Sequence, residues 1–231
     1  VTWPDLTKRA TCAGVRDITT WDLFKAGAAR PEVSGKARFG FLAANVRWRD
    51  SGQTVFPAYG IRRFEGVRVA FIGLTLEGTP AAVSASGVAG LQFDDEAETV
   101  NRLVPQLRGR GIEAIVVVIH EGGLPTGGHD DCPSLSGPIV GIVAQLEDAV
   151  DLVISGHTHQ AYNCALPNAA GRAVPVTSAA SAGRLVTQVE LALDPSTGDV
   201  ASVRARNHVV TRDVSPDSRQ DALISRYGEI A

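Results

Sequence analysis

Apolar positions fall into short runs separated by glycine, proline and acidic residues. The run Phe39–Val46 reads as a buried strand, and Arg49-Asp50-Ser51-Gly52 after it as a turn. Tyr59–Phe64 and Val67–Leu74 are β-rich and flank Glu65-Gly66, a hairpin signature. Val67–Leu74 is apolar almost throughout, as expected of a central strand. Asp94-Asp95-Glu96 suits a helix start better than a metal site, and Val100, Leu103, Val104 and Leu107 fall on one face of that helix, which Gly109 and Gly111 end. A strand over Glu113–Ile119 follows. Then come glycine-rich turns over 121–133, a helix over Ile139–Leu146 and a buried strand over Asp151–Ile154. This alternation predicts an α/β fold.

After Gly156 the pattern changes. Val174–Thr177, Arg184–Leu193 and Val200–Val210 alternate and predict an antiparallel meander, with a strong turn at 194–199. Ser215-Pro216-Asp217 begins a last helix, with Pro216 at an early helical position and Leu223, Ile224 and Tyr227 as its apolar positions. Residues 1–37, broken by Pro4, Gly14, Gly27, Pro31 and Gly35, read as a surface segment with one short helix.

Composition narrows the classes. The 231 residues are 44% hydrophobic and 20% charged, which excludes wholesale disorder. A net charge of −3 argues against a general nucleic-acid binder. The longest apolar stretch, around Ile115–Ile119, is far below the roughly 20 residues of a membrane span. The chain has no Met and opens without a cationic, apolar leader, so it reads as a processed product or an excised piece. Cys12, Cys132 and Cys164 show no CxxC pairing. They fit either three buried thiols or one disulfide plus a cysteine with an outside partner.

The chemistry lies at strand ends. His120 follows the strand Ile115–Ile119, and His157 and His159 follow Asp151–Ile154 within Ser155-Gly156-His157-Thr158-His159. Ligands of open α/β sheets collect at the carboxyl ends of strands, so adjacent parallel strands would gather these imidazoles. Gly156 allows a sharp turn, and His157 and His159 share a side if the backbone stays extended. Imidazole is a common ligand of divalent transition metals. Glu121-Gly122-Gly123 forms a loop able to pass close to a ligand. Asn45 ends a strand and is a candidate for orienting the site or for starting a turn. His129 reads as a solvated loop residue and His208 as structural.

Val118-Ile119-His120-Glu121-Gly122-Gly123 together with Ile154-Ser155-Gly156-His157-Thr158-His159-Gln160 resembles the calcineurin-like metallophosphoesterases, and more narrowly their bacterial 5′-nucleotidase branch. The resemblance runs over about residues 39–210. It implies a four-layer α/β/β/α sandwich with two divalent metal ions, zinc, manganese or similar. His120 and His157 would hold one ion and His159 the other, with Glu121, Gly122, Thr158 and Asn45 at the site rim or behind the ligands. The implied reaction is release of phosphate from a nucleoside 5′-monophosphate. The same branch holds 2′,3′-cyclic-nucleotide phosphodiesterases and UDP-sugar hydrolases. A non-catalytic surface protein that kept the scaffold is the alternative of another class.

One departure is large. The family's Asp-x-His, Gly-Asp and Gly-Asn-His-Glu motifs belong upstream of the matching region. The first 38 residues do not hold them, no Gly-Asn-His-Glu occurs anywhere, and the first histidine of the chain is His120. The chain therefore reads as the later part of a catalytic domain, with the catalytic histidine expected upstream. The implied organisation is an irregular segment over 1–38, the catalytic domain over 39–212, and a linker helix over 213–231 toward a missing nucleotide-binding domain. Such a chain alone is expected to be inactive and to hold at most one metal weakly, through its three histidines. Family resemblance implies a periplasmic, cell-surface or secreted location. Cys132 and Cys164 both follow histidine-bearing strand ends and are the proposed disulfide pair.

Overall fold

A computed structural model describes residues 40–229. The expectation for 1–37 lies outside the described residues.

The core is a six-stranded sheet. Its strands are β2 (Tyr59–Phe64), β3 (Val67–Leu74), β5 (Ala114–Ile119), β8 (Leu152–Ile154), β9 (Ala161–Pro167) and β10 (Ala173–Ala179), in the order β2-β3-β5-β8-β10-β9. The four central strands are parallel, and β2 and β9 close the edges antiparallel. Glu65 (φ 48°) and Gly66 (φ 96°) make the β2–β3 turn with left-handed backbone, as the twist of a two-residue hairpin demands.

Successive side chains of β3 and β5 point to opposite faces, and both faces are covered. On one face Ile72, Leu74, Ile115 and Val117 pack against α3 (Glu96–Arg108) and α4 (Pro138–Gln145) through Val100, Leu107, Ile139 and Val143. On the other, Val69, Phe71, Ala114 and Val116 meet Val189, Leu191, Val200 and Val203. Those residues belong to the hairpin β11 (Leu185–Asp194) and β12 (Asp199–Val209), a separate two-stranded sheet. The described residues thus form helices, a mixed sheet and a second sheet in layers. Small elements complete them: β1 (Val46–Trp48) pairs with β4 (Leu91–Phe93), β6 (Leu124–Pro125) with β7 (Leu135–Ser136), and α1 (Thr79–Ala82) and α2 (Ala85–Val88) bridge β3 and β4.

Four expectations are corrected. Residues 40–45 are not a strand. Ala43 N–H donates to Pro57 O and Ala44 N–H to Gly73 O, so the segment crosses the end of the sheet, with Leu42 against Gly73. Val174–Thr177 does not join a meander, because β10 runs parallel to β8 inside the main sheet. β9 is an additional strand whose buried positions Tyr162, Cys164 and Leu166 alternate with more exposed ones. The last helix is α5 (Ser218–Gly228), capped by the Asp217 carboxylate, so Pro216 precedes the cap and is not helical. Its apolar residues Leu223, Ile224 and Tyr227 are exposed, and none of its residues is buried.

Candidate metal centre

The parallel register brings the histidine-bearing loops together. Val118 on β5 lies level with Ile154 on β8, so two residues on His120 reaches the height of Gly156. His120 N–H is tied to Leu74 O of β3, and Gly156 N–H to Glu121 O. At this edge His157 Nδ1 is 3.3 Å from His120 Nε2, the rings meeting edge to face at 67°.

That spacing is chemically specific. Two imidazole nitrogens facing each other share either a proton or a cation. Zinc binds imidazole nitrogen at about 2.0–2.1 Å, so two ligands of a tetrahedral ion stand about 3.3 Å apart. The observed pair therefore fits one ion. His159 does not complete a cluster of three donors within 4.8 Å of one another. A single ion held by all three histidines is thus not what the arrangement offers.

Nor does the loop stay extended. His157 (φ 66°) and His159 (φ 58°) both take left-handed backbone, so the extended geometry that would put them on one side is not formed. Ala180 and Ala182, in the loop after parallel strand β10, are left-handed too. Four of the five described non-glycine residues with positive φ thus follow strands whose carboxyl ends face this edge. Strain of this kind persists only where surrounding structure enforces it, and it concentrates at functional sites.

The enforcing structure is visible. A methyl group on Gly122 would lie 2.2 Å from Gly156 O and 2.7 Å from Thr158 Oγ1. One on Gly123 would lie 2.7 Å from Ser136 O. Gly123 lets the 135–139 segment close against the His120 loop, and Gly122 lets the two histidine loops touch. Thr158 Oγ1 donates to Gly123 O across that contact. Gly123 N–H donates to the Tyr162 hydroxyl, which bonds Ser155 Oγ, which donates to Thr177 O. Burial raises the Tyr162 hydroxyl's pKa, keeping it the protonated link of this chain. Tyr162 and Ser155 were not singled out in the sequence. The one signal for Tyr162 is its place in the alternation of β9.

Other candidates are placed as follows. Glu121 is buried with its carboxylate turned back onto its own loop, accepting from Gly122 N–H. Asn45 is fully buried and locks Thr75 through bonds to both its N–H and its carbonyl, with a further bond to Asp94 O. Asp95 caps α3 through Glu98 N–H, and the Glu96 carboxyl, its pKa raised by burial, accepts from Glu77 N–H. These three acids, Glu77, Asp95 and Glu96, form the one group of three metal-capable side chains within 4.8 Å of one another among the described residues. His129 is exposed, and His208 bonds Gln188 on the hairpin. Cys132 and Cys164 form a disulfide that fastens the 126–133 loop to β9.

No family model matches the chain. It is 26% identical to Endonuclease YhcR of Bacillus subtilis over 84% of its length and 15% of that protein's. It is 30% identical to Cell wall protein Lmo0130 of Listeria monocytogenes, over 82% and 25% respectively. It is 27% identical to the 5′-nucleotidase of Vibrio cholerae, over 54% and 22%. Among solved structures it superposes on a 5′-nucleotidase precursor from Thermus thermophilus with a TM-score of 0.66 and 24% identity, covering 84% of this chain and 38% of that one. It superposes on the calcineurin-like phosphoesterase YfkN of Bacillus subtilis with a TM-score of 0.62 and 20% identity, covering 85% and 65%. The chain thus spans a quarter or less of the length of these sequence relatives.

Proposed function

We propose, from the premise that this chain has the calcineurin-like phosphoesterase fold and resembles the 5′-nucleotidases, that it carries part of the metal centre of an enzyme releasing phosphate from nucleoside 5′-monophosphates. The observation that carries the reading is the 3.3 Å approach of His120 and His157 at the carboxyl ends of adjacent parallel strands. In this reading His120 and His157 hold one divalent ion and His159 contributes to a second. A bound ion of this kind activates water and offsets phosphate charge. The protein's own work is positioning. Gly122 permits the close approach, Thr158 and Tyr162 lock it through the Gly123 backbone, and Asn45 fixes the end of β3. Residues 39–212 then belong to the catalytic domain, and 213–231 link onward.

The test is a hydrolysis panel on the polypeptide that carries this chain in its native context, with manganese or zinc. AMP, 2′,3′-cyclic AMP, UDP-glucose and a DNA duplex are its substrates, the last because one relative is named an endonuclease. Phosphate release from AMP above the other rates, lost at least 100-fold in His157→Ala, is expected. Faster turnover of a diester would overturn the monoesterase assignment. Equal activity in His157→Ala would overturn the site.

A further inference from the structure

Asn163 on β9 and Thr177 on β10 are directly opposed in the strand register, so their side chains share one face of the sheet. Thr177 is 1% exposed. Its Oγ1 and the Asn163 Oδ1 are both buried with no hydrogen-bond partner. Native proteins rarely leave such oxygens unmet, because each has given up its hydration for nothing. Beside Asn163 is the Asp130 carboxylate. Its Oδ1 accepts from Asn163 Nδ2 and, at 2.6 Å, from Asn207 N–H. No lysine or arginine pairs with Asp130 among the described residues.

Two unmet oxygens and an uncompensated carboxylate on adjoining segments ask for one occupant. A water molecule would satisfy the oxygens and leave the charge; a cation answers both. The donors are a carboxylate, an amide oxygen and a hydroxyl, a hard set with no nitrogen or sulfur ligand. Hard ions take oxygen donors, and of these calcium tolerates irregular geometry where magnesium demands a near-ideal octahedron. We propose that Asp130, Asn163 and Thr177 form a binding site for a hard divalent cation of the calcium class, separate from the histidine centre. Its place gives it a role. Asp130 lies on the loop that the Cys132–Cys164 disulfide ties to β9, so the ion would be a second fastening between that loop and the sheet.

The experiment is thermal denaturation of the chelator-stripped chain across a calcium titration, with magnesium in parallel. Dissociation constants of extracellular calcium modules run about 10⁻⁴–10⁻³ M, so 5 mM calcium should raise the melting temperature by about 2–9 °C. Magnesium should do less. Asp130→Asn and Thr177→Val should each abolish the shift. Thr177→Val removes an unmet hydroxyl, so without calcium it should melt no lower than the stripped parent, which separates site loss from misfolding. No calcium shift in the parent would leave the oxygens to a buried water and overturn the proposal. So would a shift that survives both variants. So too would one that vanishes in Glu96→Gln, which would assign the ion to the Glu77, Asp95 and Glu96 group.

Discussion

Gly122→Ala tests how the site is assembled, because it adds one methyl group where the two histidine loops touch. The new Cβ would lie 2.2 Å from the carbonyl oxygen of Gly156 and 2.7 Å from Thr158 Oγ1. Ordinary contact begins near 3.4 Å, so the loops must part by about 1.2 Å. The obstacle is backbone and cannot rotate away. Overpacking of this kind costs about 1–3 kcal/mol. At about 2–4 °C per kcal/mol for a chain of this size, the melting temperature should fall by about 2–12 °C. The functional effect should be disproportionate, since a displacement of about 1 Å is large beside the 3.3 Å gap between His120 and His157. Zinc or cobalt affinity, read by calorimetry, should drop along with the melting temperature. Gly141→Ala is the matched control. That glycine lies in α4, with nothing within 4 Å of an added methyl group, and alanine there should stabilise by about 0.5–1 kcal/mol. A Gly122→Ala protein that melts like the parent and binds metal equally well would refute the close-approach argument.

Reducing Cys132–Cys164 frees a loop of sequence separation 32, worth about 3.7 kcal/mol in loop entropy, so guanidinium midpoints should fall clearly on adding reductant. Tyr162→Phe removes the acceptor of Gly123 N–H in a buried setting and should cost about 1–3 kcal/mol in chemical denaturation, with Ser155 Oγ losing one of its two partners. Burial pushes the Asp151 carboxyl up to about 7 from its ordinary 3.8, against the opposing bond from Ile115 N–H. The folded chain therefore holds a proton that the unfolded chain releases between about pH 4 and 7, and stability declines across that window by up to about 4 kcal/mol. Asp151→Asn keeps an acceptor for Ile115 without the charge. It should melt higher than the parent at pH 8 and lose most of that advantage at pH 4.5; an unchanged pH dependence would show that Asp151 ionises freely.

What the sequence disclosed and what it withheld divide along a physical line. The start of α3, the β2–β3 turn and the strands β3, β5 and β8 were legible because each depends on neighbours within a few residues: a capping acid, a Glu-Gly pair, an unbroken apolar run. The sheet membership of β10 was not, because the alternation of Val174–Thr177 suits a hairpin meander and a parallel pairing with β8 equally, and the choice lies with the distant partner. Residues 40–45 misled for the same reason. Their apolar side chains are wanted by Gly73 and the end of β3, while their amides bond Pro57 and Gly73 outside any ladder. The site shows both halves at once. That His120 and His157 meet at one edge follows from strand ends and is legible. The expectation that His157 and His159 share a side through extended backbone failed, since both are left-handed. Their placement depends on Gly122 allowing a second loop to press within contact distance. Paired glycines in a sequence announce backbone freedom; they do not say which loop will come to occupy the space a side chain has vacated. The least legible part of this site is therefore the contact that holds it together.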